Sequence, residues 1–405
     1  MKILFVSQYF YPETFRGNDI VFDLVNKGHD VTVLTGKPNY PQGFFYKGYK
    51  FWGVQKEQIN RANVIRIPTL PRGNGGALKL ILNYFSFILF SFYQARFKVD
   101  NDYDIIFVQQ LSPVTMALPG IWALKRNHKA KLYLWVLDLW PESVASTSGF
   151  GNKYIIGLLD KIVKYIYSKA DYILVSSKSF DESINKRSFS KQIIFFPNWA
   201  ESLFEDQEVK EDLELPILPS GFNVLFAGNI GEAQDFETIL LAANLTKNEN
   251  INWILIGEGR KLDWVRHQVE INNLHNVYIF GRYSIEKMPA FFRKADIVLL
   301  TLKSSDISKI TVPAKLQAYL ASGKIILGAI DGEANSIINE NKVGLACKSG
   351  DFKLLSENSI LLKNLSIAER VNMEKNSRNL YYKQFSKKVL LDRLEKLFNS
   401  NSNVE

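Results

Sequence analysis

The chain has 405 residues, 46% of them hydrophobic and 22% charged, which excludes an intrinsically disordered protein and exceeds what one ordinary core organises. A single cysteine, Cys347, excludes an internal disulfide framework, and four scattered histidines exclude a conventional zinc cluster. The net charge of +9, with a pI near 9.2, suits an anionic partner. Without a zinc-finger pattern, an RNP-type signature or a long lysine run, nucleic acid is the weakest candidate, behind nucleotide-linked substrates and anionic lipid.

The opening MKILFVSQYF turns polar too soon for a secretory signal, and with one cysteine a reducing cytoplasm is expected. Residues 2–7 (KILFVS) are an apolar run of the kind found in a buried parallel strand. A loop through Tyr11-Pro12-Glu13 and Arg16-Gly17-Asn18 leads to a helix over 19–26, closed by Gly28, and residues 29–35 make a second strand. This order opens a doubly wound sheet, and Gly17 at the loop–helix junction would let backbone approach a ligand. A third strand is expected over 63–68. Residues 77–98, ALKLILNYFSFILFSFYQARFK, are apolar almost all round and flanked by Lys79, Arg96 and Lys98. About 20 apolar residues span a bilayer, but Asn83, Ser86, Ser91 and Gln94 interrupt this run. Two readings stay open: a buried core helix, or a helix with one face dipping into the bilayer.

Further strands are expected over 104–108 and 132–137. Asp138-Leu139-Trp140-Pro141-Glu142 follows the second, at the strand end where open α/β sheets bind ligands, so Asp138 and Glu142 are candidates for chemistry. The alternative for Asp138 is a cap on the next turn. Asp102-Tyr103-Asp104 spells a metal-type DXD but precedes a strand and is read as strand-leading acids. After a helix over 154–168 and strands over 170–176 and 192–196, Pro197-Asn198-Trp199 breaks the pattern. Residues 201–220, acidic and proline-bearing, read as a linker between domains at 1–200 and 221–385.

Past the linker, strands over 222–227, 252–256 and 277–280 run into Gly228-Asn229-Ile230-Gly231, Gly257-Glu258-Gly259-Arg260 and Gly281-Arg282-Tyr283. Several such loops on one sheet edge indicate a nucleotide site. No GxGxxG with its acidic partner and no GxxxxGK[ST] occurs, so NAD and P-loop readings fall away. The strand over 296–302 leads to SSDISKITVPAKLQAYLASGK. There Thr311 would cap a helix with Pro313 in its first turn, and the N–H groups of Val312, Ala314 and Lys315 would cradle an anion. Lys315 conflicts with the helix dipole unless a bound diphosphate resolves it. The tail over 365–398 has helical spacing, and residues 386–405 are expected as a helix that could pack back on the first domain.

The segments "KILFVSQYFYPE…GN", "FAGNIGEAQD", "IGEGR", "YIFGR" and, most specifically, "DLWPES" with "VPAKLQAYLASGK" together resemble a GT-B glycosyltransferase over nearly the whole chain. The sequence is most similar to retaining glycosyltransferase family four, in its bacterial O-antigen and capsule subgroup of the L-fucosamine type. That resemblance implies an α/β fold of two Rossmann-like, doubly wound domains facing each other across a cleft. It also implies metal-independent transfer, with retention, of a sugar such as L-FucNAc from a UDP-sugar. UDP-sugar would be a co-substrate, with no cofactor and no metal ligand. The acceptor would be a polyprenyl-diphosphate-linked saccharide on the first domain, at the inner face of the plasma membrane. Donor-binding positions would be Gly17, Asn18, Gly228, Asn229, Gln234, Gly257, Gly259, Arg260, Gly281, Arg282, Thr311, Val312, Pro313, Lys315 and Gln317. The family's paired glutamates align near Ile310 and with Ala318, its phosphate-clamping cations near Asn229 and Gln234, and its frequent histidine with Leu137. Lys315 and Arg260 are then the candidates for the missing positive charge, Gln317 for the ribose, and Asp138 for the acceptor hydroxyl or donor sugar. The rival readings are a GT-B nucleotide-sugar epimerase, a catalytically silent partner subunit and a plain nucleotide-binding module.

Overall fold

The buried run Ile3-Leu4-Phe5-Val6 forms β1 (Lys2–Val6), near the middle of an eight-stranded sheet. Its other strands are β2 (Asp30–Gly36), β3 (Gln55–Ile59), β4 (Ala62–Ile67), β5 (Ile105–Gln110), β6 (Lys131–Val136), β7 (Tyr172–Val175) and β8 (Gln192–Phe195), in the order β3-β4-β2-β1-β5-β6-β7-β8. All pairs are parallel except β3 with β4. Near-continuous apolar strands such as these need cover on both faces, which helices supply. A second sheet follows: β9 (Phe222–Ala227), β10 (Ile251–Ile256), β11 (Val277–Gly281), β12 (Ile297–Thr301), β13 (Ile326–Ala329) and β14 (Gly344–Cys347), all parallel, in the order β11-β10-β9-β12-β13-β14. Trp253, Phe226 and Phe236 are central to its buried core.

This computed structural model describes residues 1–146, 152–188, 191–205 and 215–402. Contacts divide the chain into a first unit, Met1–Phe196 with Leu391–Glu405, and a second, Pro197–Leu390. The described residues of the expected linker, 201–205 and 215–220, fall within the second unit. Ser202–Phe204 forms a helical turn of the second unit, where Phe204 stacks on Phe292 at 5.5 Å, because a buried phenylalanine outweighs the acidic residues around it. Residues 206–214 lie outside the described residues. The end of the chain returns to the first unit, with Phe398 fully buried against Phe107 and Tyr133.

Four helices matter for the first unit: α1 (Arg16–Asn26), α2 (Ala77–Tyr93), α3 (Leu118–Leu124) and α4 (Lys153–Lys169). A π-helical turn, Gln94–Lys98, extends α2. The core-helix reading of residues 77–98 fails, because this helix is built with its polar residues inward. Asn83, Ser86, Ser91 and Gln94 are buried, while Leu78, Ile81, Leu82, Phe85, Leu89, Phe92, Tyr93 and Phe97 are exposed. The inward groups are used: Asn83 accepts from Gln8 Nε2 at 2.8 Å and donates to Leu70 O, and Ser86 Oγ accepts from Leu70 N at 2.8 Å. Among the described residues this is the one helix long and apolar enough to cross a membrane.

Candidate active site

In the second sheet the strand order reverses between β9 and β12, and the loops leaving those strands open onto a cleft of about 770 Å³. A crevice at such a reversal is where open α/β sheets bind ligands, and the volume suits a small molecule. Gly228 and Asn229 come from the β9 loop, Gly257 and Glu258 from the β10 loop, and Arg282 with Tyr283 from the β11 loop. Ala314 and Lys315 open the helix α5 (Ala314–Ala321) after β12. Phe204, Phe292 and Tyr319 line one wall as a stacked and edge-on aromatic set, with centroids 5.5 and 5.3 Å apart.

Lys315 sets the electrostatics of this cleft. Its Nζ stands 3.8 Å from the centre of the buried Phe226 ring, and its stem passes so close to Gly228 that a Cβ there would meet Nζ at 2.6 Å. Among the described residues no carboxylate offsets its desolvation, which pulls its pKa from 10.5 to about 7. A buried ammonium without a counter-charge is costly, and an anion in the cleft would relieve that cost. The first N–H groups of α5 have no carbonyl a turn earlier to bond, and they lie beside it. Arg282 sits at the exposed rim, 3.9 Å from Glu258.

The structure revises several expected site residues. Thr311 does not cap α5. It ends the short helix Asp306–Ile310, donating from Oγ1 to Ile307 O at 2.8 Å, and extended Pro313 precedes α5 instead. Val312, which precedes that proline, is buried outside the helix, so Ala314 and Lys315 hold the first-turn positions. Gln317 is buried and turned back on its own helix, its amide nitrogen donating to Pro313 O at 2.8 Å and Ala314 O at 3.1 Å, which withdraws it from a ribose. Thr311, Val312, Pro313 and Gln317 are absent from the cleft wall, as are Gln234, Gly259, Arg260 and Gly281. Gln234 instead receives Thr301 Oγ1 on its carbonyl at 2.6 Å, and Arg260 is exposed. Gly257 and Gly259 are required by loop-on-loop packing. A Cβ on Gly257, whose φ is +149°, would lie 1.8 Å from Gly228 O, and one on Gly259 would lie 2.2 Å from Ile230 O. Sequence reasoning missed the aromatic wall, since Phe204 lies in an acidic stretch and Phe292 in a helix of ordinary apolar pattern.

In the first unit, Asp138 follows β6 at the carboxyl edge. Its Oδ2 accepts from Trp140 Nε1 at 3.1 Å and its Oδ1 from Ser143 Oγ, so it is a half-buried, held carboxylate. Glu142 is committed elsewhere, to Arg187 Nη1 at 2.8 Å and Ser183 Oγ at 2.7 Å, which gives it a structural ion pair. Gly17 is buried in α1 where a Cβ would strike Gln109 and Phe5, a packing requirement. The Asn18 side chain accepts from Tyr11 N at 3.0 Å and donates to Glu13 O at 2.7 Å, bracing the loop after β1. Asp102 pairs with Lys2 at 2.7 Å and Asp104 accepts from Lys2 N at 2.7 Å, so the DXD acids anchor the start of β1.

Residues 214–380 match the family of glycosyl transferases group 1. The chain is 27% identical over 344 residues to the protein of Escherichia coli strain K12 named for colanic acid biosynthesis glycosyl transferase WcaI, covering 80% of this chain and 82% of that one. Its backbone superposes on sucrose-phosphate synthase (tll1590) from Thermosynechococcus elongatus with a TM-score of 0.72 at 16% identity, covering 100% of both chains. Anabaena Alr3699/HepE, solved in complex with UDP and glucose, gives 0.65 at 14% identity over 99% of this chain and 100% of that one. These likenesses to solved structures identify the fold as GT-B, with two Rossmann-like units. With its carboxyl-terminal unit matching the glycosyl transferases group 1 family, the chain is a glycosyltransferase.

Proposed function

We propose that the enzyme transfers a sugar from a UDP-sugar, held in the second-unit cleft, to a lipid-linked saccharide held by the first unit, in the synthesis of a surface polysaccharide. The observation that carries the donor half is Lys315, a half-buried lysine with no carboxylate partner among the described residues, opening a helix at the edge of a ligand-sized cleft. In the reaction the bond between the anomeric carbon and the diphosphate breaks, an acceptor hydroxyl oxygen bonds that carbon, and its proton leaves to the Asp138 carboxylate. Charge growing on that diphosphate would be met by Lys315 and the α5 amides, without a metal. The aromatic wall of Phe204, Phe292 and Tyr319 gives a flat base an apolar surface. Asp138 is the group we assign to the acceptor hydroxyl. Retention, and an N-acetylated amino sugar such as L-FucNAc as the transferred group, are the finer reading, supported by the DLWPES and VPAKLQAYLASGK segments. The name of the colanic acid relative, WcaI, supports a polysaccharide product.

The acceptor half is supported by α2. Apolar side chains exposed in one contiguous face are unusual for a protein bathed only in water, and basic Lys79, Arg96 and Lys98 flank them. Helix α3 touches both α2 and α4, whose exposed surface mixes Tyr154, Ile155 and Leu158 with Lys153, Lys161 and Lys164. Such a surface suits the anionic inner face of a plasma membrane, on which the enzyme would lie peripherally.

Thermal unfolding with UDP, GDP, CDP and dTDP, each with and without EDTA, tests the donor assignment. A ligand at ~100 times its Kd adds roughly 2.7 kcal/mol. A shift with UDP alone that survives EDTA is expected; no shift with any of the four would refute the assignment.

A further inference from the structure

We propose that Arg72 is the anchor for the diphosphate of the lipid-linked acceptor, an anion-binding site at the root of α2. The proposal rests on the reading above that the acceptor is a lipid diphosphate.

Arg72 lies in the loop between β4 and α2, on the carboxyl edge of the first sheet. Its guanidinium lies 5.0 Å from the centre of the Tyr40 ring and 5.9 Å from that of Tyr9, with Nη1 3.5 Å from the Tyr9 hydroxyl. It is half-buried, and among the described residues no carboxylate pairs with it. Arg66 and Arg187 in the same unit are treated differently: Arg66 is paired with Glu57, and Arg187 with Glu142 and Asp160. Arg72 is thus held by ring faces, which leave most of its planar N–H edge open, the arrangement that grips a phosphate bidentately.

The position is built rather than incidental. Asn39, buried in the loop after β2, accepts the Arg72 N–H on Oδ1 at 3.0 Å. Glu13, buried after β1, accepts from Asn39 N at 2.8 Å and Tyr40 N at 2.7 Å, fixing both the arginine's backbone and one of its rings. Three loops of one sheet edge therefore converge on the guanidinium.

Tyr84 links this arginine to the chemistry. It projects from α2 and bonds Ser112, whose Oγ accepts from Trp140 Nε1 at 3.2 Å, and the same Nε1 donates to Asp138 Oδ2 at 3.1 Å. Tyr9, which Arg72 contacts, donates to Asn83 of the same helix at 3.3 Å, so a diphosphate on Arg72 and the carboxylate assigned to the acceptor hydroxyl would both adjoin this turn of α2. The outer side of the same helix carries Ile81, Leu82 and Phe85, exposed beside Asn83 and Tyr84. A polyprenyl chain leaving the diphosphate would follow that apolar face into the bilayer, with the phosphates at headgroup depth.

The test uses farnesyl diphosphate as probe on the full chain, with UDP saturating the second-unit cleft, and compares wild type with Arg72→Gln and Arg72→Lys. Arg72→Gln should weaken binding roughly tenfold or more, as loss of a charge-assisted contact does, with Arg72→Lys in between. UDP affinity, which reports an intact second unit, and the melting temperature, which reports both units, should be unchanged, and so should sedimentation with phosphatidylglycerol vesicles. A probe that binds wild type and Arg72→Gln equally, or not at all, overturns the proposal. So does a parallel loss of vesicle binding, which would make Arg72 a contact for phospholipid headgroups. If the probe binds through Arg72 but no lipid-linked acceptor is ever glycosylated, the transferase assignment of the acceptor fails while the anion site stands.

Discussion

Replacing Lys315 by Met removes the desolvated ammonium of the donor cleft and keeps most of its apolar stem. Burial lowers the pKa of this lysine from 10.5 to about 7, so at pH 8 roughly a tenth of the ligand-free protein carries the proton. A diphosphate beside Nζ favours the charged form, so UDP binding at pH 8 must draw almost one proton from solution. UDP affinity should then fall as pH rises above 7, by up to about tenfold per unit until the bound-state pKa is reached. The stability sign is the opposite of a salt-bridged lysine. The cost of burying the charge is fully present below pH 7 and is relieved as pH rises towards 10.5, so the ligand-free protein gains stability across that window, by roughly a few kcal/mol. Calorimetric titration of UDP at pH 8 in two buffers of different ionisation heat measures the proton directly. Wild type should show uptake close to one; Lys315→Met should show none and bind UDP roughly 10 to 100 times more weakly. Zero uptake by wild type at pH 8, or equal affinity in the variant, would refute the reasoning.

Asp138→Asn should cut kcat by about a hundredfold or more while UDP affinity holds, and unchanged turnover would remove Asp138 from the reaction. Leu89→Glu and Phe85→Ser alter exposed positions of α2, so melting temperature should hold while sedimentation with phosphatidylglycerol vesicles drops; undiminished sedimentation would show that α2 does not face lipid. Gly257→Ala places a methyl against Gly228 O in a backbone conformation that disfavours L-residues, so it should destabilise the second unit by roughly 2 kcal/mol or more, read by urea unfolding.

The strands that are apolar throughout were legible. Residues 2–7, 29–35 and 222–227 were expected and became Lys2–Val6, Asp30–Gly36 and Phe222–Ala227. β3, Gln55–Ile59, was invisible because QKEQI is an edge strand with no apolar run, held by its antiparallel pairing to β4 and by polar contacts of Gln55 and Glu57 with Lys37, Tyr49 and Arg66. α1 begins at Arg16, three residues before the expected start, because Gly17 packs against Phe5 and Gln109, a contact distant in sequence. The place of Lys315 at a helix start after a proline was legible. What could not be read was that its charge is buried against Phe226, or that Gln317 turns back on its own helix. The glycines were visible as a group, yet Gly257 and Gly259 serve the packing of one loop on another, which spacing alone does not distinguish from ligand contact. Polar interruptions in residues 77–98 left two readings open. Only the structure shows that the interruptions face inward, which turns an argument against membrane contact into one for it.

The most direct test of the central claim is turnover. The full chain is mixed with radiolabelled UDP-sugars and a polyprenyl-diphosphate-linked saccharide in phosphatidylglycerol vesicles, and the anomeric configuration of any product is read by NMR. The account predicts label transferred to the lipid with the donor's configuration kept, in the presence of EDTA. Label appearing only as an isomerised UDP-sugar, or no transfer by a protein that binds UDP, would contradict it.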